Sequence, residues 1–256
     1  MPLSGADLSI LAAAAAAGAA LQAATGFGFA IVAAPVFLTV LESTASIPIL
    51  VALHVVQSAA LVPRIWNGIP WRDFWHLATG ALIGCPAGLL LFRMLAVREL
   101  KLGVGIVILF VTCVVAWRQM GRAPTATPAR HDHSAREQVW SRAITGALSG
   151  ALTALIVMPG PPLMVSLLRN PMPAASARAL SIGFFAACYL VVLAVQWGAG
   201  EFDAEARSTI LWLAVPVLAG TGLGHYGARW LNDRHLERAM IVLLLLAGAG
   251  AIASAL

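Results

Sequence analysis

Apolar runs long enough to cross a bilayer recur along this chain and leave little room for any other architecture. A membrane-spanning helix needs about 20 predominantly apolar residues. Runs close to that length lie near 46–63, 74–92, 102–118, 179–197, 208–228 and 236–255. Of all residues, 60% are hydrophobic and only 11% are charged, which is far from the composition of soluble domains. The sequence therefore predicts an all-α integral membrane protein of about eight to ten segments.

Two further apolar stretches are each interrupted, at 6–24 with 28–41 and at 143–157 with 161–168. The interruptions contain TGFGFAIVAAP (25–35) and VMPGPPLM (157–164), in which Pro35 and Pro162 take comparable places. Proline removes a backbone donor and clashes with the preceding turn, so a helix through the second interruption has to stop and restart. Because lipid cannot satisfy freed N–H and C=O groups, such breaks must lie inside the protein or line a cavity.

The order of the runs is the same twice, which indicates two homologous halves. At an offset of 136 residues, the 17 positions 84–100 share six identities with 220–236, which are Gly84 with Gly220, Gly88 with Gly224, Arg93 with Arg229, Leu95 with Leu231, Arg98 with Arg234, and Leu100 with Leu236. We predict an N-terminal repeat at 1–120, a polar linker at 121–138 and a C-terminal repeat at 139–256. Each repeat has four to five helical segments and begins with a broken or hairpin helix.

The distribution of Lys and Arg predicts the topology, because connections on the cytoplasmic side carry an excess of both. If each interrupted pair is a hairpin, the connections at 63–73, 118–142, 169–178 and 229–238 share one side and carry 12 of the 16 positive residues. If each pair is one kinked span, the split is eight against eight. The hairpin arrangement places both termini outside and makes the halves inverted repeats, which is typical of secondary transporters.

The breaks are the predicted binding site. Helix N-termini that begin after a break direct donors and a positive dipole end toward what lies between them, and this favours an anion. Glycine at a break lets a ligand approach the backbone closely. The breaks contribute Gly26, Phe27, Gly28, Gly160 and Pro161. The alternative is that they are only tight turns at hairpin tips.

Polar side chains inside apolar runs extend this prediction, because ionisable groups at membrane depth are costly. His54 and Gln57 lie one helical turn apart, and His54 could bind an anionic oxygen or carry a coupled proton. Arg178 could hold the anion or act as an interfacial anchor, and Ser181 lies one turn further on. Four more residues flank the breaks and could bind substrate or bond across helices, namely Gln22, Thr25, Ser149 and Thr153.

Several short motifs resemble the TauE/SafE family of sulfite and organosulfonate exporters. They are GFGFAIVAAPVFL, GALSGALTALIVMPGPPLM, RAL at 178–180 and WNGIPW, and the resemblance covers nearly the whole chain. It implies a carrier in the bacterial inner membrane that exports small sulfur-containing anions such as sulfite or sulfoacetate. We expect no cofactor, and the oligomeric state stays open, a homodimer being common among membrane carriers. Where the family often has a glycine pair, this chain has Pro159-Gly160, which stiffens the break and alters the pocket.

Other functional classes have weaker support in the sequence. The net charge of +5 comes mostly from arginines between apolar runs, so it does not indicate nucleic-acid binding. Three scattered cysteines predict buried thiols, and the HDH at 131–133 is a weak metal motif. Ser149 in ALSGA faintly resembles an intramembrane serine enzyme, but Ala147 replaces the first glycine of that motif. A membrane assembly protein without transport would not explain two matching breaks.

Overall fold

The structure, a computed structural model, describes residues 4–120 and 135–227, and all regular secondary structure in those two stretches is helical. Six of the described helices are long and apolar enough to cross a membrane, namely α1, α3, α4, α6, α8 and α9. The predicted all-α membrane fold is therefore confirmed. The helices are α1 Gly5–Thr25, α2 Phe29–Leu41, α3 Ser46–Ile65, a short 3-10 helix Trp66–Gly68, α4 Trp71–Phe92, α5 Val97–Met120, α6 Ala135–Ile156, α7 Gly160–Arg169, α8 Ala174–Gly198 and α9 Ala204–Gly227.

Helix boundaries differ from the apolar runs where polar residues lie inside a helix. α6 begins at Ala135, so the last residues of the predicted linker are helical. α8 begins right after the extended Pro173 and thus includes Arg178, which hydropathy alone had placed before the helix. The predicted run at 236–255, the HDH motif and the matches from Arg229 onward lie outside the described residues.

Both interrupted stretches are hairpins. The start of α1 lies beside the end of α2, since Ser4 and Glu42 line one cavity together with Asp203. The start of α6 likewise lies beside the end of α7, since Ser141 and Arg169 line one groove. α2 and α7, with 13 and 10 residues, reach only about 20 and 15 Å, so neither crosses the roughly 30 Å core alone.

The hairpins open toward different ends of the bundle. At the end where α1 begins, Arg93 pairs with Glu201 at 4.0 Å, and the cavity beside this pair includes Ser43 of the turn after α2. At the other end, Arg142 near the start of α6 pairs with Asp73 near the start of α4. Two inverted repeats require such opposite directions, and the repeat relationship itself stays a prediction.

Glycines join helices of the two predicted repeats at backbone-to-backbone contacts. A Cβ atom on Gly84 or Gly88 of α4 would overlap the backbone of α6 at Ala147 or Ala151. On α9, a Cβ atom on Gly220 or Gly224 would overlap the carbonyl oxygens of Ala16 and Ala20 on α1. Small residues allow this close approach, in which van der Waals packing drives helix association in lipid. The glycine pairs that the sequence comparison matched thus make the same kind of contact, each with the first helix of the other half's hairpin.

α3 and α8 form the centre of the bundle. They are the most buried of the six candidate spans and pack against each other. Large side chains of both helices are fully buried there, including Leu50, Leu53, Phe184 and Tyr189. The hairpins α1–α2 and α6–α7 pack around this pair, so both breaks face the same central helices.

We expect Gly220→Ala to destabilise the protein, because the new methyl group would force α1 and α9 apart. Overpacking of this kind typically costs about 1–3 kcal/mol. The matched control is Gly222→Ala on the same helix, where an added Cβ meets nothing within 4 Å in the described residues. Thermal unfolding in detergent measures the difference. Equal melting temperatures for the two variants would contradict the packing described here.

Candidate functional site

The first break turns on two glycines in conformations that other residues rarely adopt. Gly26 has φ 88° and Gly28 has φ 121°. A Cβ atom on Gly26 would also lie 3.2 Å from the Cα of Arg178 on α8. Glycine is therefore needed at Gly26 for two reasons, a left-handed backbone and a close approach by a neighbouring helix.

Side chains of α1 satisfy the polar groups that this break frees. The N–H of Phe27 donates to the hydroxyl of Thr25 at 3.1 Å. The N–H of Phe29 donates to Oε1 of Gln22 at 3.3 Å. The N–H groups of Ala30 and Ile31, in the first turn of α2, have no intrahelical acceptor, as at every helix start. Together with the N–H of Gly28, which precedes α2, these are the donors that remain for a ligand among the described residues.

The second break has the same geometry at its first step but without glycine. Val157 has φ 62° and follows the last residue of α6, and the N–H of Met158 donates back to the carbonyl of Leu152 at 3.2 Å. The N–H of Val157 donates to the carbonyl of Thr153 at 3.0 Å, which is the αL type of helix end, where glycine is usual. Val157 lies 131 residues after Gly26. The same separation relates Ala16 to Ala147, the two residues of α1 and α6 that contact Gly220 and Gly84, so Val157 and Gly26 take equivalent positions at the ends of these helices. A β-branched residue in this conformation is strained, typically by about 1–3 kcal/mol.

The prolines of VMPGPPLM have a direct physical role at this break. A helix start leaves its first N–H groups without partners, which is costly at membrane depth. Pro159, Pro161 and Pro162 have no N–H group, so Gly160 carries the only backbone donor at the start of α7. The first turn of α7 can therefore be buried in apolar surroundings, and most of the donors at the two breaks belong to α2.

The two breaks meet at one small cavity. Five predicted residues line it, namely Gln22, Phe27, Gly28, Gly160 and Pro161. Phe185 and Tyr189 of α8 also line it, and Phe27 stacks edge-on against Phe185 at 5.4 Å. Its volume of about 30 Å³ has room for one or two waters. Pockets for small-molecule ligands usually measure about 300–1,000 Å³, so the breaks must separate before an anion can enter.

His54 lies behind the wall of this cavity. Its ring is fully buried between Phe29 and Tyr189, with centroid distances of 4.1 and 3.9 Å. Nδ1 lies 3.0 Å from the carbonyl of Leu50, which makes Nδ1 the donor. Nε2 is then an acceptor, and it is buried without a partner in the described residues. Gln57, one turn on, donates to the carbonyl of Ala19 at 2.8 Å.

Arg178 holds the end of α1. Its guanidinium donates to the carbonyl of Ala23 through Nε, at 3.1 Å, and through Nη2. A cation at a helix C-terminus is favourable. In this conformation the Arg178 side chain stabilises the first break and is not among the residues that line the cavity.

The remaining predicted hydroxyls are not part of the cavity wall. Thr25 contributes to the turn itself, whereas Thr153 and Ser181 donate to carbonyls of their own helices, those of Ser149 and Ala177. The hydroxyl of Ser149 is buried without a partner in the described residues. Ser149, Thr153 and Ser181 are therefore separate from the residues that meet at the breaks, whereas Thr25 supports the first break.

Comparison with known proteins agrees with this architecture. The model of a family described as "Sulfite exporter TauE/SafE" matches residues 10–251. The chain belongs to the TauE/SafE family. It is also similar to a protein described as "Probable inner membrane transporter protein TsaS" from Comamonas testosteroni, with 28% identity over 184 residues, 70% of this chain and 71% of that protein. No solved structure gives a significant match. The protein is a multi-pass membrane transporter.

The motifs that carry the resemblance to TauE/SafE proteins are neighbours in space. Gly68 of WNGIPW approaches Ala179 of the RAL motif, where an added Cβ would lie 3.5 Å away. The adjacent Arg178 contacts Gly26 of the first break, and a Cβ atom on Gly160 would lie 3.2 Å from Cδ1 of Phe27. These short sequences are separated by up to about half the chain, yet they form one contact network around the cavity.

Sequence reasoning missed Tyr189, which links the second break to His54. Its hydroxyl donates to the carbonyl of Val157 at 3.0 Å, and its ring stacks on His54. A tyrosine inside an apolar run has to find a polar partner, which is the signal that was available. Val157 gave no signal, because nothing in a valine predicts a left-handed backbone.

We expect Tyr189→Phe to lower the stability of this TauE/SafE protein by about 1 kcal/mol, because the carbonyl of Val157 loses its donor. The ring and its stack on His54 are retained in the variant. The control is Tyr226→Phe, which changes the chain's other tyrosine at an exposed position. Thermal unfolding in detergent gives the comparison. If both variants melt like the wild type, the hydroxyl does not support the break.

Proposed function

We propose that this protein is a secondary carrier that exports small sulfur-containing anions, such as sulfite or sulfoacetate, by alternating access. The family is that of sulfite exporters. The observation that carries the proposal is the meeting of two helix breaks, one from each half, at a single cavity. Broken helices that meet in this way form the substrate sites of many secondary transporters.

The anion is bound at the start of α2. The N–H groups of Ala30 and Ile31 and the positive end of the α2 dipole are directed at the break, and both residues line the cavity. Gly160 adds one N–H group from α7. This asymmetry follows from the prolines, and it means that the first break binds the anion while the second mainly closes over it.

Opening and closing centre on Phe27. In the closed conformation its ring contacts Phe185 and lies against Gly160, so it separates the two breaks. Rotation of one half against the other withdraws Gly160 from Phe27 and enlarges the cavity. The strained backbone of Val157 raises the energy of the closed conformation. The free-energy difference between it and a conformation with a rearranged second break is therefore smaller.

The membrane potential is sufficient to drive export. An inside-negative potential drives anions out of the cell, whichever way the protein is oriented. About 2.3 kcal/mol per charge at 100 mV corresponds to roughly a fiftyfold outward gradient of a monovalent anion. Export by uniport needs no coupled ion, and His54 can be a structural residue between two rings in this mechanism.

An intramembrane serine enzyme has little support from the same geometry. A nucleophilic serine needs a base within hydrogen-bond reach. The hydroxyl of Ser149 has no hydrogen-bond partner in the described residues. His54 bonds to a carbonyl of its own helix and stacks on Tyr189. A transport function accounts for the two helix breaks that meet at the cavity. A hydrolytic function would require neither of them.

Flux into proteoliposomes tests the proposal. We expect saturable transport of sulfite or sulfoacetate and slower transport of the divalent sulfate, since one helix start offers few donors. Gly160→Leu should reduce the flux at least tenfold, because its side chain meets Phe27. Gly222→Leu is the control at a position with open space among the described residues. Absence of flux for every sulfur anion from correctly folded protein would refute the proposal.

A further inference from the structure

A long apolar groove runs along the outer face of the bundle between α5, α6 and α7. Its volume is about 1,230 Å³, and its walls are mainly apolar side chains such as Ile106, Phe110, Ile144 and Leu148. All four are substantially exposed. α6 is a candidate membrane span, and we infer from the exposed apolar side chains that this face of the described helices meets hydrocarbon. What fills an apolar groove at that depth has to be apolar itself.

Polar residues gather at only one end of the groove, where α6 begins and α7 ends. Arg169, the last residue of α7, is exposed there and forms no ion pair with a carboxylate of the described residues. Trp140, which is 61% exposed, lies at the same end, as aromatic side chains do at the membrane interface. Glu137 also lines this end but already takes part in an interaction within the protein.

We propose that the groove binds one anionic phospholipid, with an acyl chain along α6 and the phosphate at Arg169. A guanidinium binds phosphate oxygens in two parallel hydrogen bonds, and the exposed Arg169 at the interface has the complementary charge. A long apolar groove with a single cationic end is complementary to a lipid, which has an acyl chain and an anionic headgroup. A soluble anion has no apolar part that could contact the walls of the groove.

The site is next to the second break. Pro161 lines both the groove and the cavity between the breaks, and Val165 and Arg169 of the same short helix line the groove. A lipid chain in the groove therefore lies against one arm of the break, and its displacement has to accompany any movement of α7. This consequence for transport rests on the proposed function, whereas lipid binding itself does not.

Lipid retention measures the binding directly. The protein is purified from membranes containing phosphatidylglycerol and phosphatidylcholine, and bound lipid is counted by native mass spectrometry. We expect one retained phosphatidylglycerol per chain, retention reduced roughly fivefold by Arg169→Gln, and loss of the lipid in Leu148→Trp, which fills the groove. Arg72→Gln is the matched control, since Arg72 is exposed at the same end, near the start of α4, and does not line the groove.

Four results would overturn the proposal. Equal retention of both lipids would show that no anionic headgroup is recognised, and unchanged retention in Arg169→Gln would place the lipid elsewhere. Displacement of the lipid by millimolar inorganic phosphate would indicate a soluble-anion site, and a dimer that Leu148→Trp dissociates would assign the groove to a second copy of the chain. Because the readout is binding, loss of sulfur-anion flux in the wild type would contradict only the proposed function.

Discussion

The structure depends on how the broken backbone satisfies its own polar groups at membrane depth. Several of the freed groups have a hydrogen-bond partner from a side chain. Gln22 accepts from Phe29, Tyr189 donates to Val157, and Arg178 donates to Ala23. The prolines before and after Gly160 solve the same problem by removing donors. A small set of N–H groups at the start of α2 has no hydrogen-bond acceptor in the described residues. These donors can bind an anion.

The two breaks are alike in position and different in chemistry. Gly26 and Val157 both end a first helix in a left-handed conformation, but one does so without strain and the other with it. The first break is open to a ligand through its glycines, while the second is stiffened by proline. Glycine contacts fix the first helix of each hairpin to a helix of the other half. Movement of the halves would therefore be passed directly to the breaks.

Much of this arrangement can be read from the sequence, because hydropathy and arginine placement reflect the membrane itself. The helices, the hairpins and the convergence of the breaks follow from apolar length, Gly and Pro positions and charge. The matched glycines at Gly84 and Gly220 were recognisable for the same reason. The pairing of Pro35 with Pro162 was wrong, since Pro35 lies in the middle of α2 and Pro162 in the first turn of α7.

The contacts of individual side chains could not be read in this way. The sequence places Arg178 and Ser181 on one helix face, but it does not indicate to which carbonyl each side chain donates. It also does not indicate that Ser149 lies outside the cavity. Such details depend on the packing of α1 against α8, whose neighbours are far apart in the chain. The volume of the cavity also depends only on how the helices pack, so the sequence does not predict it. The small volume means that the two breaks are in contact in this conformation.

Alternating access requires that these breaks separate toward each side of the membrane in turn. Its most direct test is Phe27→Cys in a cysteine-free background, with an impermeant maleimide applied to either side of sealed vesicles. We expect modification of the introduced cysteine from both sides, and sulfoacetate should slow it from both. Modification from one side only, at a rate that sulfoacetate does not change, would contradict alternating access.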